Sequence, residues 1–234
     1  MTLVYIGMAL ALLVALFLGI RAIMYRRNRT RYFVTEHPGF LTAEECDHVI
    51  ELARPLIKKS RVVRAGESKS ASALRTSGSA FLENAADRTT RNIKRRIAEL
   101  SETDIRCQES LQVTHYFETE FYVPHRDALG SESVDVGDAG DRYCTVIIYL
   151  NDDYTGGATR FHKVATRITP ERGKAVLFYN LTDDQQKAHP LSLHGAEPVL
   201  TGEKWIANQW IRLRPTSPEK NRRARRGKGK NRGH

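Results

Sequence analysis

His125-Arg126-Asp127, followed by His194 and then by Lys204, is the set of residues whose types and spacing could do chemistry. Alternate residues on a strand point to one side, so the spacing predicts that His125 and Asp127 grip one metal ion together. His194 completes the triangle only if the chain folds back, and the strand and turn signals between Asp127 and His194 let it do so. Two imidazoles and one carboxylate on one face of an octahedron leave three positions open, the ligand set of non-haem Fe(II) centres. Lys204 falls in a segment that reads as the next strand. A single cation there is placed to hold the far carboxylate of a dicarboxylic co-substrate whose other end chelates the metal.

The elements that must position these residues are legible in order. Arg31–Thr35 reads as a short strand ending at His37-Pro38-Gly39. Thr42 to Ile57 reads as a helix: Thr42 and Glu45 form a capping box, and Cys46, Val49, Ile50 and Ala53 make an apolar stripe for core packing. Residues 64–73 are small and polar, hence a mobile loop, and Asp87 to Leu100 reads as a second helix with Ile93, Ile97 and Leu100 inward. Strands then come at Glu109–Phe117, Phe121–Val123, Tyr143–Leu150, Thr159–Phe161, Lys174–Tyr179, Leu191–His194 and Lys204–Leu213, separated by Gly, Asp and Asn clusters. Gly130–Asp141 reads as a flexible loop over the site. Two helices followed by about eight short strands predict an α+β domain whose strands form a jelly roll, or double-stranded β-helix, supported by the N-terminal helices.

Charge divides the chain. The net +10 and the pI near 9.7 belong to the ends. Residues 1–31 carry five arginines and no acid, and residues 219–234 carry eight basic residues against Glu219, leaving the stretch between at −2. A near-neutral body argues against nucleic acid as a partner of the catalytic domain. Leu3 to Ile20 has no charged residue. A helix from Leu3 to Met24 would be about 33 Å long, enough to cross a bilayer core of roughly 30 Å. The expected organisation is a transmembrane anchor at 1–24, a basic linker at 25–35, a folded domain at 36–215 and a basic disordered tail at 216–234. Arg26, Arg27, Arg29 and Arg31 after the anchor favour a cytosolic domain by charge bias. Cys46, Cys107 and Cys144 are widely spaced and read as buried thiols, with a single bridge left open.

Taken as an ordered set, Leu111-Gln-Val-Thr-His-Tyr116, Tyr122-Val-Pro-His125-Arg-Asp127, Tyr149-Leu-Asn-Asp, Gly156-Gly-Ala-Thr159, Ser192-Leu-His194-Gly195 and Lys204-Trp-Ile-Ala-Asn-Gln-Trp210-Ile-Arg212 resemble the prolyl 4-hydroxylase family of Fe(II)/2-oxoglutarate dioxygenases. The resemblance spans about residues 36–213, with Glu44-Glu45-Cys46 and Leu74-Arg-Thr-Ser77 on its N-terminal side. It implies His125, Asp127 and His194 as catalytic metal ligands and Lys204, Tyr116 and Thr159 as the hold on 2-oxoglutarate. It also implies Tyr122, Arg142 and Trp210 as residues lining a peptide groove. Fe(II), 2-oxoglutarate, O2 and L-ascorbate are the cofactors it implies, and a proline-containing peptide or protein is the substrate, with no required subunit evident. The chain departs from the family pattern at Glu118-Thr119-Glu120, Ala158 and His162, all expected to border the groove.

Two other readings compete. One is a hydroxylase of the same fold acting on another protein side chain or a small molecule. The other is a membrane-tethered adaptor that uses its basic tail. The resemblance further suggests a single-pass protein of the endoplasmic reticulum membrane with its domain in the lumen, against the charge bias.

Overall fold

The computed structural model describes residues 33–59, 76–82, 87–130, 133 and 135–216. The chain divides into two compact units, residues 1–35 and 36–234, and every candidate site residue belongs to the second. The expected anchor, the 64–73 loop and the basic tail lie outside the described residues apart from residue 216. Among the described residues no helix is long and apolar enough to cross a membrane.

After strand β1 (Val34–His37), helix α1 runs from Ala43 to Ala53. Its capping box forms: Glu45 N–H donates to Thr42 Oγ1 at 3.2 Å and Thr42 N–H donates to Glu45 Oε2 at 3.0 Å. The α-helix stops before the Ile57 expected from its pattern. Pro55 lies in a 3-10 turn, Arg54–Leu56, because proline supplies no N–H to continue the α-helical ladder. Helix α2 (Arg88–Ser101) is capped by Asp87, whose carboxylate accepts from Thr90 N at 2.8 Å.

The strands are β2 (Lys58–Lys59), β3 (Gly78–Leu82), β4 (Leu111–Tyr116), β5 (Tyr122–His125), β6 (Arg142–Tyr149), β7 (Thr155–Gly156), β8 (Thr159–Phe161), β9 (Thr166–Ile168), β10 (Ala175–Tyr179), β11 (His194–Ala196), β12 (Val199–Thr201) and β13 (Lys204–Arg212). The larger sheet has the order β1-β10-β6-β13-β4-β3-β2, the smaller β5-β11-β8-β9, and β12 pairs with β7. This is a jelly roll, as the run of helices and then strands predicts.

Two-residue periodicity decides what each strand shows to which side. Leu111 and Val113, Val146 and Ile148, Ala175 and Leu177, and Trp205, Ala207 and Ile211 join Cys46, Val49, Ile50, Ile93 and Ile97 of the helices in one apolar core. The intervening residues, Gln112 and Tyr116, Ile147, and Ile206, Asn208 and Trp210, line a cavity on the opposite face. The helices therefore seal one face of the larger sheet while the smaller sheet covers the other. All six residues of β4 are buried, so burial along it does not alternate although apolar and polar side chains do over Leu111–Thr114.

Two expectations need correction. Leu191–His194 is not one strand: Pro190–Ser192 forms a 3-10 turn and the strand begins at His194. Pro190 cannot donate to a ladder, and His189 Nδ1 takes the Leu191 N–H at 3.2 Å. The described part of the Gly130–Asp141 segment is pinned. Asp141 accepts from Leu129 N at 2.7 Å and Gly130 N at 3.0 Å, and Arg212 donates to Gly140 O at 2.8 Å.

Candidate active site

His125 ends β5 and His194 begins β11, and these residues face each other across an antiparallel pair. The chain therefore does fold back as the histidine spacing requires. Asp127 is not on the strand with His125: β5 has ended and Asp127 sits on the bend beyond it. The same-side argument from strand geometry does not apply, and the bend turns the carboxylate toward both imidazoles instead. One ligand atom from each of His125, Asp127 and His194 lies within 4.8 Å of the others. Nε2 of His125 is 3.6 Å from Asp127 Oδ1, and Nε2 of His194 is 3.8 Å from Oδ2.

Each imidazole is aimed from behind. His125 Nδ1 donates to Val123 O and His194 Nδ1 to Ser192 O, both at 2.9 Å. A proton on Nδ1 leaves Nε2 with its lone pair toward the centre, the tautomer a metal ligand needs. Burial, with His125 beside it, pushes His194 down to about 4, so it is neutral at ordinary pH. Burial alone would raise Asp127, but the two histidines hold it well below the usual carboxylate range. Two imidazoles with Nε2 turned inward and an ionised carboxylate, convergent and mostly buried, fit a divalent metal of the non-haem iron kind.

Lys204 is completely buried opposite Tyr116 on β4, and it does not itself line the cavity that Tyr116 lines. Its Nζ donates to Gly157 O at 2.6 Å and stands 5.0 Å from the Tyr116 ring centroid and 5.7 Å from that of Tyr149. Among the described residues no carboxylate pairs with it within 4 Å. Burial pushes it down to about 7. A buried ammonium with one hydrogen bond and no counter-ion is costly unless an anion arrives. Nearby, Tyr149 donates its hydroxyl hydrogen to Thr159 Oγ1 at 2.7 Å, which frees the Thr159 hydrogen for another acceptor. Gly157 closes the turn beneath Lys204 at φ +61°; a Cβ there would sit 3.1 Å from Lys204 Cδ and 2.9 Å from Tyr154 Cε2.

Tyr116, Tyr122, His125, Asp127, Thr159, His194 and Trp210 all line one cavity between the two sheets, joined by Gln112, Ile147, Ile206 and Asn208. Tyr122 stacks on His125 with centroids 3.7 Å apart. Arg142 is placed differently from the expectation. It does not line the cavity but pairs with Glu109 at 2.8 Å and lies 3.7 Å over the Trp210 ring, because Glu109 draws its guanidinium behind that ring. Trp210 Nε1 is buried and without a hydrogen-bond partner among the described residues. Ala158 is wholly buried, and neither it nor Glu118, Thr119, Glu120 or His162 lines the cavity, so those departures do not border it. Ile206 and Asn208 share one face of β13 with Lys204 and Trp210, as counting in twos along the strand predicts. Ile147 and Gln112 carry no chemical signal of their own.

A jelly roll with a His-Asp-His cluster between its sheets and a buried lysine on a neighbouring strand defines the 2-oxoglutarate-dependent oxygenase class. The profile of the 2OG-Fe(II) oxygenase superfamily matches residues 111–212. Probable prolyl 4-hydroxylase 10 of Arabidopsis thaliana is 36% identical over 195 residues, covering 75% of this chain and 67% of that protein. The viral collagen prolyl hydroxylase of Paramecium Bursaria Chlorella virus-1, solved as a 2OG complex, is 28% identical with a TM-score of 0.61, over 77% of this chain and 96% of that one. A prolyl hydroxylase of Trichoplax adhaerens, solved with a hypoxia inducible factor peptide fragment, shares the fold at 15% identity and a TM-score of 0.54, over 79% and 86% of the two chains. The chain belongs to the prolyl 4-hydroxylase family of Fe(II)- and 2-oxoglutarate-dependent dioxygenases.

Proposed function

We propose that this protein 4-hydroxylates proline in a peptide or protein, converting 2-oxoglutarate and O2 to succinate and CO2. The observation that carries the reading is the pairing, in one fold, of a convergent His125, Asp127 and His194 with a buried Lys204 that no carboxylate among the described residues meets within 4 Å. The first three residues would hold Fe(II). Lys204 would pair with the distal carboxylate of 2-oxoglutarate, a charge-assisted contact in a dry site, with the Thr159 hydroxyl and Tyr116 beside it. The bound metal, with 2-oxoglutarate and O2, supplies the oxidising power to hydroxylate an unactivated C–H bond; ascorbate is the reductant that the family uses to restore it.

The chain's own part is placement. Val123 O and Ser192 O keep both imidazoles in the ligating tautomer. Tyr122 and Trp210, both on the cavity wall, would flank the substrate proline. Arg142 and Glu109 hold the Trp210 ring from behind. The two sheets enclose the reacting groups and limit water.

The test is a peptide panel with and without proline, measuring succinate release and 4-hydroxyproline by mass spectrometry. Hydroxyproline that requires Fe(II), and is lost in His125→Ala, Asp127→Ala and His194→Ala, is expected. Succinate release that no proline peptide stimulates would instead favour a hydroxylase of another side chain or small molecule. Full activity in any of the three variants would refute the ligand assignment.

For location, the reading is a single-pass protein of the endoplasmic reticulum membrane anchored through residues 1–24. It is supported by the uncharged run from Leu3 to Ile20. Protease protection of the domain in sealed microsomes separates a lumenal from a cytosolic orientation.

A further inference from the structure

Behind Asp127 runs a chain of donors. Thr145 Oγ1 donates to Asp127 Oδ2 at 2.8 Å, and Asn180 Nδ2 donates to Thr145 Oγ1 at 2.8 Å. All three residues are buried, Asn180 completely. The direction of both bonds is forced. An ionised carboxylate only accepts, so the Thr145 hydroxyl hydrogen must point to Asp127. The lone pair that remains on Thr145 then calls for a donor, which fixes the Asn180 amide with its NH2 group toward Thr145. Asn180 Oδ1 has no partner among the described residues, so the hydrogen bonding of this side chain consists of that donation.

Asn180 also stands under the second histidine. Its backbone N–H donates to Tyr143 O at 2.8 Å, and its carbonyl accepts from His189 N at 2.7 Å. His189 O in turn accepts from Ser192 N at 3.0 Å and from Ser192 Oγ at 2.8 Å, closing the 3-10 turn. Ser192 O takes the His194 Nδ1 proton. One residue at the end of β10 thus reaches two ligands on separate segments, one through its side chain and one through its backbone.

We propose that Thr145 and Asn180 are positioning residues of the metal centre. Thr145 ties Oδ2 of Asp127 to the protein and leaves Oδ1 as the metal's single carboxylate atom, and Asn180 sets the Thr145 hydroxyl for that task. The proposal rests on His125, Asp127 and His194 being the metal ligands. Hydrogen-bond partners of ligating residues commonly govern metal affinity by tenfold to a hundredfold.

The experiment is titration of the full-length chain with Co(II), read by its visible absorption, which reports ligand geometry and needs no turnover. Thr145→Val keeps the shape and removes the donor. It is expected to lower Co(II) affinity by about tenfold to a hundredfold and to alter the absorption, whereas Thr145→Ser restores both. Asn180→Ser is expected to shift both in the same direction by less. Wild-type affinity and absorption in Thr145→Val would overturn the proposal. So would a Thr145→Ser variant as impaired as Thr145→Val, since the methyl group would then be the cause. Should Thr145→Val fail to fold, unchanged absorption and affinity in Asn180→Ser would overturn it equally. A wild-type chain that binds no Co(II) would refute the ligand assignment itself, and the proposal with it.

Discussion

Lys204 is a buried cation beside the cavity, and burial outweighs the opposing charge of Glu197 in setting its behaviour. It is fully buried, donates to Gly157 O alone among the described residues, and is pushed down to about 7. Cutting one side of a desolvated ion pair costs about 3–5 kcal/mol, or some hundreds-fold or more in affinity at about 1.4 kcal/mol per tenfold. Lys204→Ala should therefore raise the Michaelis constant for 2-oxoglutarate by that order while Fe(II) affinity stays nearly unchanged. An unchanged constant would mean that another cation holds the co-substrate. The sign of the shift gives the pH dependence. The folded value lies below the ordinary 10.5, so the folded chain without ligand binds fewer protons than the unfolded one between about pH 7 and 10.5, and its stability rises with pH across that window. Binding a dianion requires the proton back. Affinity for 2-oxoglutarate should be level below about pH 7 and fall about tenfold per unit above it. Calorimetric titration at several pH values would show this, and a level affinity up to about pH 9 would contradict it.

At the scale of elements, the helices matter because they seal the face of the larger sheet opposite the cavity. The start of α2 is held by Asp87, which accepts from Thr90 N and also pairs with His48 of α1. Burial acts to raise Asp87, but the Thr90 and His48 hydrogen bonds prevail and lower it. Its stabilising effect is thus present at neutral pH and is lost as pH falls through and below the ordinary aspartate range. Asp87→Ala should cost about 1–2 kcal/mol as a lost cap, lowering the melting temperature by roughly 2–8 °C for a domain of this size. Activity at low temperature should be kept. A melting temperature unchanged at neutral pH would show that the cap contributes nothing. The capping box of α1 was legible as a Thr42–Glu45 pair at fixed spacing, and the helical stripes and the long strands β4, β6, β10 and β13 because each repeats its signal over several residues. Strands β2, β3, β7, β9 and β12 were not: four of them have only two or three residues, and β3 opens Gly78-Ser79-Ala80, which reads as loop composition.

At the scale of the whole molecule, charge and hydropathy separate the ends from the body. The uncharged run and its arginines precede residue 32, the basic tail comes after residue 218, and the stretch between is near neutral. The full-length chain should therefore sediment with membranes and resist carbonate extraction. A variant lacking residues 1–30 should remain in the supernatant with its 2-oxoglutarate turnover intact. Sedimentation of that shortened variant with membranes would assign the attachment to another part of the molecule.

By itself the sequence determined the ligand types, their order and the lysine after them, because metal and carboxylate chemistry admits few residue types. It also determined the class of fold, through the helical stripes and the strand periods. Only the tertiary structure decided that Asp127 reaches the metal position from a bend and not from the strand of His125. Only packing against Glu109 decided that Arg142 stands behind Trp210 and not along the cavity. Thr145 and Asn180 had no signature at all. A threonine inside a strand and an asparagine at a strand end look like ordinary polar residues. Their role arises because β6 and β10 pair side by side, which brings Asn180, just past β10, up to Thr145 and Thr145 up to Asp127. Local patterns record what a residue can do, whereas the partners it meets depend on contacts between segments far apart in the chain.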